Sequence, residues 1–300
     1  MILAITGGTG FVGEHLLRAA LAAGHQVRAL TRTPRAEEPG ISWIQGALDR
    51  PDSLARLVAG ADIVIHVAGL ISGSRDAFEQ VNVQGTATLI EAAQEAGVRR
   101  LVHVSSLAAR EPKLSSYGWS KAEAERVVTS SGLDWTIIRP PAVFGPGDRE
   151  TLELFRMAKR GFVALPPRGR FSVIHVEDLS RLILALSGAP STIGSVYEAD
   201  DGREDGWENR HFARTLGRLF GNRVTTIALP KFVLSGAARV DRLVRRDRAK
   251  LTADRVSYFC HPDWVVRPGR RPPADIWTPA IRTPTALRAT ADWYKAQGWL

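Results

Sequence analysis

Up to about residue 145, short apolar runs alternate with longer stretches in which apolar positions recur every three to four residues. ILAIT (2–6), QVRALT (26–31), ADIVIHVAG (61–69), RLVHVSS (100–106) and DWTIIRP (134–140) are dominated by β-branched and other apolar side chains, so they predict strands buried on both faces. Between them VGEHLLRAALAAG (12–24), DSLARLVAG (52–60), QVNVQGTATLIEAAQEAG (80–97) and SKAEAERVVTSSG (120–132) carry the period of amphipathic helices. Gly24, Gly97 and Gly132, at the ends of the first, third and fourth of these, suit a left-handed helix terminator. Repeated strand-helix units predict an α/β fold with a doubly wound parallel sheet.

After the Pro- and Gly-rich PPAVFGPGD (140–148) the pattern predicts a helix near 150–160. FSVIHVEDLSRLILAL (171–186) then predicts one more strand and helix returning to the sheet. Regular alternation fades from about residue 200. The expected organisation is therefore a main domain over 1–200, with 150–170 contributing to the substrate side. A smaller region over 201–300 holds a basic helical stretch at 231–255 and a Pro-rich, loop-like one at 262–284.

At 300 residues, 44% hydrophobic and 24% charged, the chain can bury a large core, and no apolar run reaches the roughly 20 residues of a membrane span. The N-terminus shows no basic stretch followed by a cleavage site, and the single Cys260 cannot form an internal disulfide, so a reducing cytoplasm is the expected address. Charge is unevenly placed. Residues 1–200 carry 21 basic and 21 acidic side chains, and 201–300 carry 19 and 10, so the whole net charge of +9 sits in the last third.

The stretch AITGGTGFVG (4–13) follows the first strand directly and opens the first helix. Gly8, Gly10 and Gly13 fit G-x-G-x-x-G, and Thr6, Gly7, Gly10 and Gly13 fit T-G-x-x-G-x-x-G. Glycines there permit a tight turn and let the backbone approach a pyrophosphate that faces the helix N-terminus, so a dinucleotide is expected at Gly7, Gly10, Phe11, Val12 and Gly13. Where an acidic residue would bind the adenine ribose, at the end of the second strand, the chain reads ALTRTPR. Arg32, with Arg35 near it, suits a 2′-phosphate, which favours NADP over NAD.

SSYGWSK places Tyr117 and Lys121 four apart, one above the other at the start of a helix. A free phenol has a pKa of about 10, and a neighbouring ammonium stabilises the tyrosinate, which suits general acid/base work near neutral pH. Upstream, Ser105 and Ser106 end a strand at the carboxyl edge where such sheets bind ligands. Ser106 can hold a carbonyl there, and an N-cap or turn role is the competing reading.

In their order TGGTGFVG, IVIHVAG, VNVQGTATLIEAA, VHVSS, YGWSK, IIRPPAVFGPGD and IHVEDLSRLILAL resemble the extended short-chain dehydrogenases, the NAD-dependent epimerase/dehydratase family, over roughly residues 1–200. The resemblance implies a Rossmann domain in which Tyr117 exchanges a proton with the substrate oxygen, Lys121 holds the nicotinamide ribose and Ser106 polarises the carbonyl. It also implies cofactor contacts through Ala68 and Gly69 and through the Arg139–Pro140 turn, and it marks Asn82 as a characteristic position. The sequence departs at Ala47, where relatives often carry an acidic residue that Asp49 would have to replace, and at Trp119, which is bulkier than usual. The tail KLTADRVSYFCHPDWVV (250–266) is similar to dihydroflavonol-reductase-like proteins and to a complex I accessory subunit of the same fold.

The expectation is an NADP-dependent oxidoreductase that reduces a ketone or aldehyde, acting as a monomer or homodimer on a small-molecule carbonyl substrate, with no nucleic acid partner. A nucleotide-sugar epimerase or dehydratase and a non-catalytic NADPH-binding subunit or sensor are the alternatives. His66, His103 and His175 are assigned to packing or hydrogen bonding, and no metal-ligand spacing is seen. Between Arg239 and Arg255 seven basic and three acidic residues interleave with Val240, Leu243, Val244 and Leu251. This spacing gives a helix that either packs its apolar face on the core or meets an anionic, lipid-like substrate or an acidic membrane surface.

Overall fold

All five apolar runs become strands of one parallel sheet in the computed structural model, which describes residues 1–245 and 252–300. The sheet takes β1 (Ile2–Thr6), β2 (Gln26–Thr31), β3 (Ile41–Gln45), β4 (Ile63–His66), β5 (Arg100–Val104), β6 (Asp134–Arg139) and finally the strand Ser195–Glu198. From one edge its spatial order is Ser195–Glu198, β6, β5, β4, β1, β2, β3, with every neighbouring pair parallel. The chain order reverses between β1 and β4, so the sheet is doubly wound with its switch point beside the glycine-rich turn.

Helices α1 (Phe11–Ala22), α2 (Pro51–Val58), α3 (Arg75–Phe78), α4 (Gly85–Glu95) and α5 (Ser116–Thr129) connect these strands. Gly24, Gly97 and Gly132 take φ of 76°, 72° and 69°, the left-handed terminators that the sequence predicts. The single helix expected over 80–97 differs. A π-helical segment, Glu79–Gln84, joins α3 to α4, and the buried Asn82 lies in it.

Two strands of this sheet escape the hydrophobic pattern, and both are edges. ISWIQ at β3 and SVYE at 195–198 are short, half-polar and partly exposed, because an edge strand has a sheet neighbour on one side only. The strand expected near 171–175 forms, but Val173–His175 pairs in parallel with Ala142–Phe144 and not with the large sheet. The helix after it, Val176–Ser187, does pack on α1, β5 and β6.

Accordingly the chain does not divide at residue 200. One compact unit comprises Met1–Pro140, Val176–Ala199 and Gly269–Thr278; the other comprises Pro141–His175, Asp200–Pro268 and Pro279–Leu300. The physical reason is the second unit's own core, which gathers Phe144, Phe155 and Val163 with Trp207, Phe212, Leu216, Leu287 and Tyr294. The Phe155 and Tyr294 rings meet edge-on at 5.2 Å, and the Tyr294 hydroxyl donates to the Asp148 carbonyl at 2.7 Å. Residues 141–175 thus belong to the second unit more fully than the sequence suggests.

The basic stretch forms the helices Lys231–Arg245 and Ala253–Phe259; residues 246–251, including Arg246, Arg248 and Leu251, lie outside the described residues. Of the two alternatives for the first helix, an inward apolar face does not hold at Val240 and Leu243. Ala238 is buried, whereas Val240 and Leu243 face solvent.

Candidate active site

Every site residue read from the sequence, from Gly7 to Pro140, falls in the first unit, at the carboxyl ends of β1, β2, β4, β5 and β6 or on the helices after β1 and β5. The glycine turn is dictated by steric demands. Gly7 has φ of 75°, and a Cβ there would lie 2.6 Å from the Ala68 amide nitrogen. A Cβ on Gly13 would stand 2.0 Å from the Gly7 carbonyl oxygen. Neither position admits a side chain.

Gly10 is different, since its nearest neighbour would be 3.4 Å from an added Cβ. The protein itself does not require glycine there. Gly10 caps α1, whose first turn begins with Phe11, Val12 and Gly13, and this N-cap offers no side-chain hydrogen bond to that helix end. A helix N-terminus leaves its first amides without intrahelical acceptors and carries partial positive charge, so this bare cradle fits the pyrophosphate of a dinucleotide.

Across the turn, the Thr6 hydroxyl accepts from the Ala68 amide at 3.2 Å and meets His66 Nδ1 at 2.6 Å, which ties β1 to the loop carrying Ala68 and Gly69. At the end of β2 the Thr31 hydroxyl donates to the Thr33 carbonyl at 2.7 Å, fixing a turn from which Arg32 projects, exposed. Arg35 does not stand ready beside it: its guanidinium lies over the Trp43 ring of β3 at 5.5 Å. Asp49 is exposed, and Ala47 is held by the Ser53 hydroxyl, which accepts from its amide and donates to its carbonyl.

Tyr117 and Lys121 occupy successive turns of α5. Ser115 caps this helix by accepting from the Gly118 amide at 3.0 Å. A Cβ on Gly118 would lie 2.7 Å from the Ala108 carbonyl, so this glycine lets α5 close on the 3-10 turn Leu107–Arg110. Ser106 begins that turn and accepts from the Ala108 amide at 3.2 Å. The turn role is therefore real, and it uses the hydroxyl as acceptor while its O–H can still donate. The Tyr117 ring lies 6.0 Å from Phe78, and the Arg75 guanidinium covers Trp119 at 3.8 Å.

Lys121 is buried and donates to the Val104 carbonyl at 2.8 Å. Burial lowers its pKa to about 8, against an opposing pull from Glu125. A Cβ on Gly69 would reach within 4.0 Å of the Lys121 ammonium and 3.1 Å of Asn82 Oδ1, so the loop after β4 passes directly over both. Asn82 accepts from the Leu70 amide at 2.7 Å and donates to the Leu70 carbonyl at 3.0 Å and the Ser120 hydroxyl at 2.9 Å. It clamps the Gly69 loop to α5.

A buried ionic chain lies below and escapes the sequence reading. Glu125, one turn beyond Lys121, accepts from Arg139 Nε at 2.8 Å, from Arg139 Nη2 at 2.5 Å and from the Ser105 hydroxyl at 2.5 Å. Arg139 also approaches Glu198 at 3.9 Å, and Glu198 pairs with Arg110 at 3.3 Å. The Arg139 charge in the expected Arg139–Pro140 turn is directed into the protein. Its neighbour Pro140 accepts from the Leu107 amide at 3.0 Å and so steadies the Ser106 turn. The i, i+4 spacing of Lys121 and Glu125 was the available signal.

His66 fulfils the packing assignment, because its second ring nitrogen meets the Thr86 hydroxyl at 2.9 Å and burial lowers its pKa to about 3. His103 stacks obliquely on it at 5.2 Å, with neither ring nitrogen hydrogen-bonded among the described residues, and burial holds it well below the usual range. His175 meets Phe144 edge-on at 5.4 Å.

A glycine cradle at a switch point, joined through Gly69 to a buried lysine, is the geometry of a dinucleotide site, and a family model described as NAD(P)H-binding matches residues 7–165. The chain belongs to this NAD(P)H-binding family. The ceramide reductase of Caulobacter vibrioides (strain NA1000 / CB15N) is 37% identical over 309 residues, covering 100% of this chain and 96% of that protein. A 4-hydroxy-2-methyl-3-oxo-4-farnesyl-3,4-dihydroquinoline-1-oxide ketoreductase of Stigmatella aurantiaca is 33% identical over 66% of this chain and 67% of its own. The dTDP-glucose 4,6-dehydratase DesIV of Streptomyces venezuelae, solved with NAD, superposes with a TM-score of 0.73 at 23% identity, covering 100% of this chain and 98% of that one, a likeness of fold. The protein is an oxidoreductase of the extended short-chain dehydrogenase/reductase type that binds a nicotinamide cofactor.

Proposed function

We propose that this enzyme uses NADPH to reduce a ketone on a long-chain, lipid-like molecule, with Tyr117 as proton donor. The observation that carries the mechanism is the pairing of Tyr117 with the buried Lys121 on one face of α5, beside the Gly69 loop. The substrate class rests on the full-length similarity to a reductase of ceramide, a lipid, and on a farnesyl-bearing substrate in the second relative. When bound, the cofactor supplies hydride to the carbonyl carbon. The Ser106 hydroxyl donates to the carbonyl oxygen and polarises it, and the Tyr117 hydroxyl gives that oxygen its proton as negative charge develops. The Lys121 ammonium stabilises the tyrosinate that remains until solvent reprotonates it.

Arg32 stands for NADPH. A guanidinium fork on a 2′-phosphate is a charge-assisted contact worth about 1.5–3 kcal/mol, or about ten- to hundredfold in affinity. Titration of both cofactors should give tighter NADPH binding to the wild type and a lost preference in Arg32→Ala. Equal affinities in the wild type would remove NADPH from this reading.

Lys121 adds a pH signature. Its pKa is about 8 in the free protein, and an anion or hydroxyl bound to the ammonium favours the charged form and raises that value. Cofactor affinity is then greatest below about pH 8 and declines as the pH rises beyond it. Binding isotherms across this range should show the decline in the wild type and a flat profile in Lys121→Met; a flat wild-type profile would exclude ammonium contact with the cofactor.

Whether a ketone is the substrate is tested by following NADPH absorbance with long-chain ketones and with nucleotide sugars. Net oxidation with a ketone supports the reading, and reaction of a nucleotide sugar without net oxidation would replace it with epimerase or dehydratase chemistry.

A further inference from the structure

The helix Lys231–Arg245 is inverted relative to an ordinary surface helix. Over its length, about 22 Å at 1.5 Å per residue, Phe232, Gly236, Val240 and Leu243 follow the i, i+4, i+8, i+11 positions of one face, with Val233 alongside. That face is outward. Phe232 is 76% exposed, Val240 60% and Leu243 80%, while Ala238 on the opposite side is 3% exposed. Apolar side chains of this size are normally turned toward the core, and a continuous exposed apolar face marks an interaction site.

Its surroundings restrict what can cover it. Arg239, seven residues after Phe232, is exposed beside that face, and the helix sequence carries four basic residues, Lys231, Arg239, Arg242 and Arg245, against one acidic, Asp241. The helix Ala253–Phe259 packs against this one and ends in Phe259, itself 46% exposed. The Lys231 ammonium opposes the upward push that burial gives the thiol of the adjoining Cys260, which puts the end of that second helix near the start of the first. Exposed apolar and cationic groups are thus gathered in one part of the second unit.

We propose that this helix, through Phe232, Val240 and Leu243 with Arg239 beside them, docks on an anionic lipid surface and lies in the headgroup plane. A short helix with an apolar face and a cationic margin suits that position, since its apolar side chains enter the acyl boundary while its cations meet lipid phosphates. No helix among the described residues is long and apolar enough to cross a membrane, so the attachment is along the surface. A second copy is a poorer occupant, because a two-fold contact through the same face would bring two cationic margins together. The proposal does not depend on the reductase reading, and its test needs no substrate, so the two fail separately.

The test is flotation of the full chain with phosphatidylcholine vesicles, with and without phosphatidylglycerol. The wild type should float with the anionic vesicles and much less with neutral ones. Binding should fall when salt rises from about 0.1 M to about 1 M, which shortens the screening length from about 10 Å to about 3 Å. Replacing Phe232, Val240 and Leu243 together by Ser should weaken partitioning about tenfold or more while NADPH binding and circular dichroism stay unchanged. The double variant Lys231→Gln, Arg239→Gln should narrow the difference between anionic and neutral vesicles, which keeps the proposal testable if the triple variant does not fold. Failure of the wild type to float, or equal flotation of folded triple variant and wild type, would overturn it. So would a concentration-dependent dimer that the triple variant abolishes with no vesicle binding by either.

Discussion

Tyr117→Phe should lower turnover on the ketone substrate by about 100-fold or more while leaving cofactor affinity within about twofold. In the proposed mechanism the change removes one oxygen, and with it the proton that the carbonyl oxygen must receive; a positioned general acid contributes roughly this factor. The contacts that hold α5 in place should not move. α5 is capped by Ser115 and held against the Ser106 turn at Gly118, and Lys121 is fixed by the Val104 carbonyl, all without the phenol oxygen. Steady-state rates with wild type and variant, alongside NADPH titrations, separate the two effects. Full turnover by Tyr117→Phe would assign the proton to another group.

The largest expected loss of stability comes from Glu125→Ala. Glu125 receives two bonds from Arg139 and one from Ser105, and its removal leaves a guanidinium at a partly buried site with only the 3.9 Å approach to Glu198 in compensation. Breaking one partner of a buried pair costs about 3–5 kcal/mol, and the remaining Glu198 contact puts this case near about 3 kcal/mol. The Ser105 hydroxyl loses its acceptor as well. Urea unfolding of the two proteins measures the difference, and a loss under about 1 kcal/mol would mean that water or rearrangement replaces the carboxylate.

What the sequence made legible was mostly local. The turn at Gly7, Gly10 and Gly13 and the Tyr117–Lys121 pair are spacings within one loop or one helix, so periodicity and chemistry suffice to find them. The five interior strands are legible for a similar reason: burial on both faces demands near-continuous apolar runs. β3 and Ser195–Glu198 are not, because a sheet edge relaxes that demand. The ionic chain from Ser105 through Glu125 and Arg139 to Glu198 joins positions on different elements, and no pattern within one element reveals it. Asn82 stood out by resemblance, but its bonds to Leu70 and Ser120 required the fold. The direction of the helix Lys231–Arg245 is likewise tertiary. Spacing defines an apolar face, and only packing decides which way that face points.

In the proposed reaction hydride must reach a carbonyl carbon of the substrate. A single turnover with NADPH deuterated at the transferred position and a long-chain ketone, read by mass spectrometry of the product, tests that directly. One deuterium at the carbinol carbon for each cofactor oxidised is the predicted result in the wild type, with little product from Tyr117→Phe in the same time. Product lacking deuterium, or cofactor that remains reduced beside every long-chain ketone supplied, would contradict it.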